Sequence, residues 1–249
     1  LSSRPEANQS VQSWTEIALA HGVRHFETAG YRPDGLIGSL HAAGAIVIHK
    51  ASSIRHGLAA ERAGADAIAL IGMEEGGHPG ANELPSMLMG ALAVGQFSVP
   101  LVLGGGIGHG RQIAAALVQG LDGVLMGSRL LVCEEIGAHH DYKAHLLTCD
   151  EHATVRVLQS LGNTWRVLRN DTAHKIEALE RSGALDHAAF GDLIKGTTVR
   201  DGCYATGDWN QGMLSLGPAI AFAKRIEPLS SIVSSLIEEA RNAFQAHAN

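Results

Sequence analysis

The chain has 249 residues, 45% of them hydrophobic and 18% charged, with a formal net charge of −6. This is a globular composition, large enough for one big domain, and its acidic balance argues against nucleic acid as a main partner. Cys133, Cys149 and Cys203 are odd in number and widely spaced, so neither a metal pattern nor a disulfide framework is visible.

Residues 11–21 read as an amphipathic helix after a polar start (Ser2, Ser3, Arg4, Glu6) that lacks a signal-peptide pattern. No apolar run approaches the roughly 18 residues of a membrane span, and the expected setting is reducing and cytoplasmic. Arg24–Thr28 reads as a strand, Pro33–Ala43 as a helix stopped by Gly44, and Ala45–Lys50 as a strand. Ile54–Ala63 is a predicted helix closed by Gly64, and Ala67–Ile71 a strand. Met87–Val94 is helical, Val99–Leu103 a strand, Arg111–Gln119 a helix and Gly123–Met126 a strand.

Strand centres near His25, Val47, Ala69, Val102 and Val124 are separated by 22, 22, 33 and 22 residues. Short apolar strands alternating with helices predict a parallel α/β sheet. A doubly wound sheet and a TIM-type (β/α) barrel compete. Gly104-Gly105-Gly106-Ile107-Gly108-His109-Gly110 lacks the spacing of a dinucleotide fingerprint, and loops with functional residues follow several strands, as in a barrel. After Arg129 the repeat stops. Helices near 138–147, 151–161, 171–182 and 187–195 predict a small helical subdomain, followed by a turn-rich Thr197–Met213 and a closing helix over Ile226–Ala246. The expected division is residues 1–133 as a partial barrel, 134–206 as a helical insertion and 207–249 as a returning C-terminal segment.

Four stretches carry candidate chemistry. Ile68–Gly80 is an apolar strand that ends in a loop with glycines at 76, 77 and 80 and His78 between them. A histidine there suits a base near neutral pH, and equally suits a plain turn. The glycine turns at 104–106 and at Gly127-Ser128 end successive strands, where backbone N–H groups can hold phosphate; ordinary turns are the other reading. Lys50 ends a strand and either balances an anionic ligand or is simply solvated. Glu74 and Glu75 flank the His78 loop and either orient it or are plain surface charges, the second being the favoured reading. His139, His140, His145 and His152 resemble a metal cluster in composition, but their offsets match no metal motif, and no metal is expected.

Gly72-x-Glu74-x-Gly76-Gly77-His78-Pro79-Gly80 resembles the signature loop of the nitronate monooxygenases, once called 2-nitropropane dioxygenases. The similarity extends through Val47–Lys50, Gly64–Ala67, Leu103–Ile107 and Gly120–Arg129 to Gly207-Asp208-Trp209. It implies a flavin-binding TIM barrel with a helical insertion after the last strand. It also implies that Gly105, Gly106, Gly127 and Ser128 hold the FMN phosphate, that Lys50, Gly76 and Gly77 lie against the flavin, and that His78 faces the substrate. The implied reaction is oxidation of alkyl nitronates with O₂ to a carbonyl compound and nitrite. NAD(P)H-dependent quinone or enoyl-acyl-carrier-protein reductases of the same superfamily, or an inactive remnant, are the alternatives. A homodimer is left open.

Two departures stand out. The chain starts at Leu1, not Met, and would begin just before the fourth barrel strand, with the first three missing. A glutamine common in the family also corresponds to Pro218 here, after Gly217.

Overall fold

The computed structural model describes residues 9–30, 34–80 and 83–246. Five parallel strands alternate with helices: α1 (Val11–Ala20), β1 (His25–Ala29), α2 (Asp34–Ala42), β2 (Ile46–Ala51), α3 (Ile54–Arg62), β3 (Ala67–Ile71), α4 (Ser86–Ala93), β4 (Leu101–Gly104), α5 (Gly110–Val118) and β5 (Gly123–Leu125). The predicted start of the second helix at Pro33 lies outside the described residues. Every strand pairs with the next in sequence, giving the order β1-β2-β3-β4-β5. A doubly wound sheet reverses its strand order at a switch point. This one does not, and its order is that of a barrel wall. Among the described residues β1 and β5 do not pair with each other, so both are edges.

The sheet holds together because its central strand is apolar on both faces. Ile68, Ala69, Leu70 and Ile71 of β3 are all buried, as a strand covered on two sides must be. Val47, Leu101 and Leu103 join them, and Ile37, Leu40, Met89 and Ala93 pack against this layer from α2 and α4.

The region after β5 departs from the helical expectation. It contains α6 (His140–Leu146), α7 (Asp171–Arg181), α8 (His187–Phe190) and α9 (Gly196–Thr198). The predicted helix over 151–161 is absent. In its place β6 (Thr154–Val157) pairs antiparallel with β7 (Trp165–Leu168). Thr154, Val155 and Val157 are β-branched, and such side chains favour a pleated surface over a helix. The insertion is therefore mixed rather than helical, with a separate two-stranded sheet. Within the expected turn-rich stretch, Val199–Tyr204 forms a π-helical segment.

The chain closes with α10 (Leu229–Gln245), which buries Ile232, Leu236 and Ala240 at four-residue spacing. It packs on α5 at close range. A Cβ on Gly110 would stand 2.4 Å from Ala240 N, and Gly110 N donates to Glu239 Oε2 at 2.8 Å. Among the described residues no helix is long and apolar enough to cross a membrane.

Candidate active site

Parallel strands point the same way, so the loops after β2, β3, β4 and β5 gather at one edge of the sheet. Two cavities open there. One, of about 350 Å³, is lined by Lys50, Gly76, Gly105, Gly106, Gly127 and Ser128, with Glu27, Glu74 and Glu75. The other, of about 990 Å³, is lined by Lys50, Gly76, Gly77 and His78, with Ser52, His56 and Asn163. Lys50, Glu75 and Gly76 border both. The tertiary structure thus brings together all eight residues singled out from sequence.

The glycine end is shaped by backbone. Gly106 has φ +73°, a left-handed conformation that disfavours any side chain, and a Cβ there would stand 2.9 Å from the Glu74 Cβ. Gly127 borders the cavity with nothing within 4 Å of where its Cβ would be. Ser128 is tied to the returning chain, its Oγ accepting from Gly217 N at 2.7 Å. Pro218 opens a 3-10 turn, Pro218–Phe222, and Ala219 lines the cavity. Backbone exposed on two successive strand ends, beside a lysine, is a set of groups that fits a phosphate-bearing cofactor.

The acids are not surface charges, contrary to expectation. Glu74 accepts from Ser86 N at 3.0 Å, at the start of α4, where a carboxylate meets the positive end of the helix. Glu75 has a side chain only 15% exposed, with its carboxylate 3.3 Å from Lys50 Nζ. Burial raises its pKa, and the lysine pulls it back. Lys50 also lies 3.8 Å from Glu27. The chain turns back on itself after β3, which points Glu75 at β2 rather than at water.

His78 borders the larger cavity. Its pKa is lowered, first by burial and then by the Lys50 ammonium. The ring is exposed by area and borders this concave chamber. His49, next to Lys50, is buried and shares a 2.9 Å hydrogen bond between Nδ1 and Thr28 Oγ1.

A clamp from the insertion holds this loop. Gly77 N donates to Arg166 O at 2.9 Å and Arg166 N to Gly77 O at 2.7 Å. The Arg166 guanidinium donates to Met73 O at 3.0 Å and to Thr154 Oγ1 at 3.2 Å. Gly76 lies so near the returning chain that a Cβ would come within 2.5 Å of Gly217 N. None of this was legible in sequence, because Gly77 and Arg166 are far apart in the chain.

The remaining candidates lie elsewhere. His139 caps α6 by accepting from Asp141 N, and His145 stacks on Trp209 with ring centroids 3.6 Å apart. The three cysteines are buried and unpaired, and burial pushes the Cys149 thiol up to about 11 and that of Cys203 to about 12.

Residues 15–239 match the family model described as nitronate monooxygenase. The chain belongs to the nitronate monooxygenase family. Among relatives of this nitronate monooxygenase-family chain is a Mycobacterium tuberculosis protein, (3aS,4S,5R,7aS)-5-hydroxy-7a-methyl-1-oxo-octahydro-1H-indene-4-carboxyl-CoA dehydrogenase. It is 33% identical over 168 residues, 67% of this chain and 47% of that protein. Among solved structures, FabK from Thermotoga maritima superposes with a TM-score of 0.87 at 26% identity, over 96% of this chain and 74% of that one. A nitroalkane oxidase from Streptomyces ansochromogenes superposes with a TM-score of 0.77 at 25% identity, covering 95% and 69%. The chain spans about half the length of the curated relatives it matches.

Proposed function

We propose that this oxidoreductase-family chain carries the site of an FMN-dependent enzyme that oxidises alkyl nitronates with O₂ to a carbonyl compound and nitrite. The observation that carries the reading is His78 at the wall of the larger chamber, on a glycine loop that also borders the glycine-walled cavity, with its pKa lowered by burial and by Lys50. The family and the nitroalkane oxidase superposition support it. Gly105, Gly106, Gly127 and Ser128 would hold the FMN phosphate through backbone N–H groups, and Lys50, Gly76 and Gly77 would lie against the ring system. FMN, when bound, would supply the redox chemistry between nitronate and dioxygen.

The side chains do the rest. His78 hydrogen-bonds the anionic nitro group and, with a neutral nitroalkane, takes the proton from the α-carbon. Lys50 offsets negative charge that develops beside it. The substrate is a small molecule, the setting cytoplasmic, and homodimerisation is compatible with the site. Strands β1–β5 are the fourth to eighth strands of a (β/α)₈ barrel, supported by their sequential order and by the phosphate-type loops after the last two.

Anaerobic mixing of FMN-loaded protein with a nitronate tests the reaction. Bleaching of the flavin's visible absorbance is expected, and a fully bound flavin that stays oxidised would exclude it. The second reading is an NAD(P)H-dependent reductase of a quinone or enoyl thioester, favoured by the CoA-thioester dehydrogenase among the relatives. Under that reading NADH bleaches the flavin without nitronate.

A further inference from the structure

The His78 ring has no polar anchor. Among the described residues it makes no hydrogen bond, whereas nearby His49 is held by Thr28 at 2.9 Å. A general base normally needs a third group to fix its ring. Backbone pairing supplies one of another kind. Gly77 and Arg166 exchange both backbone hydrogen bonds as an antiparallel bridge. The next residues along, His78 and Trp165, then face each other as a non-hydrogen-bonded pair, the closer of the two pair types. Their ring centroids are 4.5 Å apart, with planes tilted by 33°. The indole is itself tied down, its Nε1 donating to Ser215 Oγ at 2.8 Å. Ser215 lies along the same edge of β7 as Gly77, bridged to Val167.

We infer that Trp165, anchored by Ser215, is a positioning residue for His78: it covers one face of the imidazole, fixes its rotamer and leaves the free edge to the larger cavity. Three segments remote in sequence, around residues 77, 166 and 215, meet to do this. The role in catalysis rests on the reading of His78 as the base; the ring placement does not.

Two measurements test it. Side-chain NMR of the 249-residue chain, with the His78 signals assigned through His78→Gln, should show them displaced upfield by the indole ring current. Trp165→Phe, which keeps an aromatic ring but loses the Nε1 donor to Ser215, should keep part of that displacement. Trp165→Leu should abolish it, and Ser215→Ala, which leaves the ring in place but unanchored, should reduce it. His78 signals at the position of a free imidazole, or unmoved in a folded Trp165→Leu, would overturn the inference. In the flavin-loaded enzyme, Trp165→Leu should lower kcat for a neutral nitroalkane about tenfold, with a smaller loss on the preformed nitronate, which needs no proton removed. Trp165→Phe, with the ring but without the Ser215 anchor, should restore part of it. Equal losses on both substrates would make Trp165 merely structural. A wild-type protein inactive on both substrates would refute the proposed reaction, and the NMR result would then decide the positioning by itself.

Discussion

His78 can take a proton only while neutral, and both burial and the Lys50 ammonium disfavour its charged form. The acid limb of kcat/KM for a neutral nitroalkane is therefore expected below the ordinary imidazole value of about 6.5, with activity present above the midpoint and lost beneath it. An acid limb above that value would contradict the assignment. His78→Ala should leave FMN binding intact and depress turnover of the neutral nitroalkane by about 100-fold or more, measured by steady-state kinetics. The same shift bears on stability. Unfolded His78 takes up its proton at a higher pH than the folded residue, so its contribution is complete above about pH 6.5 and declines on acidification. Glu75 runs the other way. Its raised pKa keeps it protonated to higher pH than an exposed glutamate, and once ionised it competes for Lys50. Glu75→Gln should tighten FMN binding several-fold near neutral pH and flatten its pH dependence, read by quenching of flavin fluorescence. An unchanged binding curve would mean that Lys50 does not face the flavin.

Two elements outside the main sheet determine how well this site is built. The β6–β7 hairpin clamps the signature loop through the Gly77–Arg166 bridge and the Arg166 contacts with Met73 O and Thr154. Its period-two, β-branched pattern was present in Thr154–Val157, but a four-residue strand is too short to outweigh a helical reading of the surrounding polar residues. The α10 helix braces α5, and so the loop that carries Gly105 and Gly106. Leu236 is 2% exposed and packs with Cys133 and Ile232. Leu236→Ala should cost about 2–5 kcal/mol through lost burial and a residual cavity, measured by urea denaturation. A change under roughly 1 kcal/mol would show that α10 is only loosely attached.

At the scale of the molecule, the site lies where the C-terminal ends of four parallel strands converge, and the sheet has two unpaired edges, β1 and β5, among the described residues. Unpaired edges template association. The chain by itself is expected to self-associate with rising concentration in analytical ultracentrifugation, and, under the proposed barrel assignment, a version extended by three further strands should stay dispersed and purify yellow with FMN. Equal behaviour of the two would count against the barrel assignment. The sequence alone determined the five βα units, their helices and the glycine and histidine loops, because strand and helix periodicity and glycine stops are local signals carried by neighbouring residues. Only the tertiary structure decided that Glu75 turns onto Lys50, that a hairpin replaces the expected helix at 151–161, and that Trp165 and Ser215 stand behind His78. The Lys50–Glu75, Trp165–Ser215 and His78–Trp165 contacts join residues 25, 50 and 87 positions apart, and pairings at that range are set by how whole elements pack rather than by any local pattern.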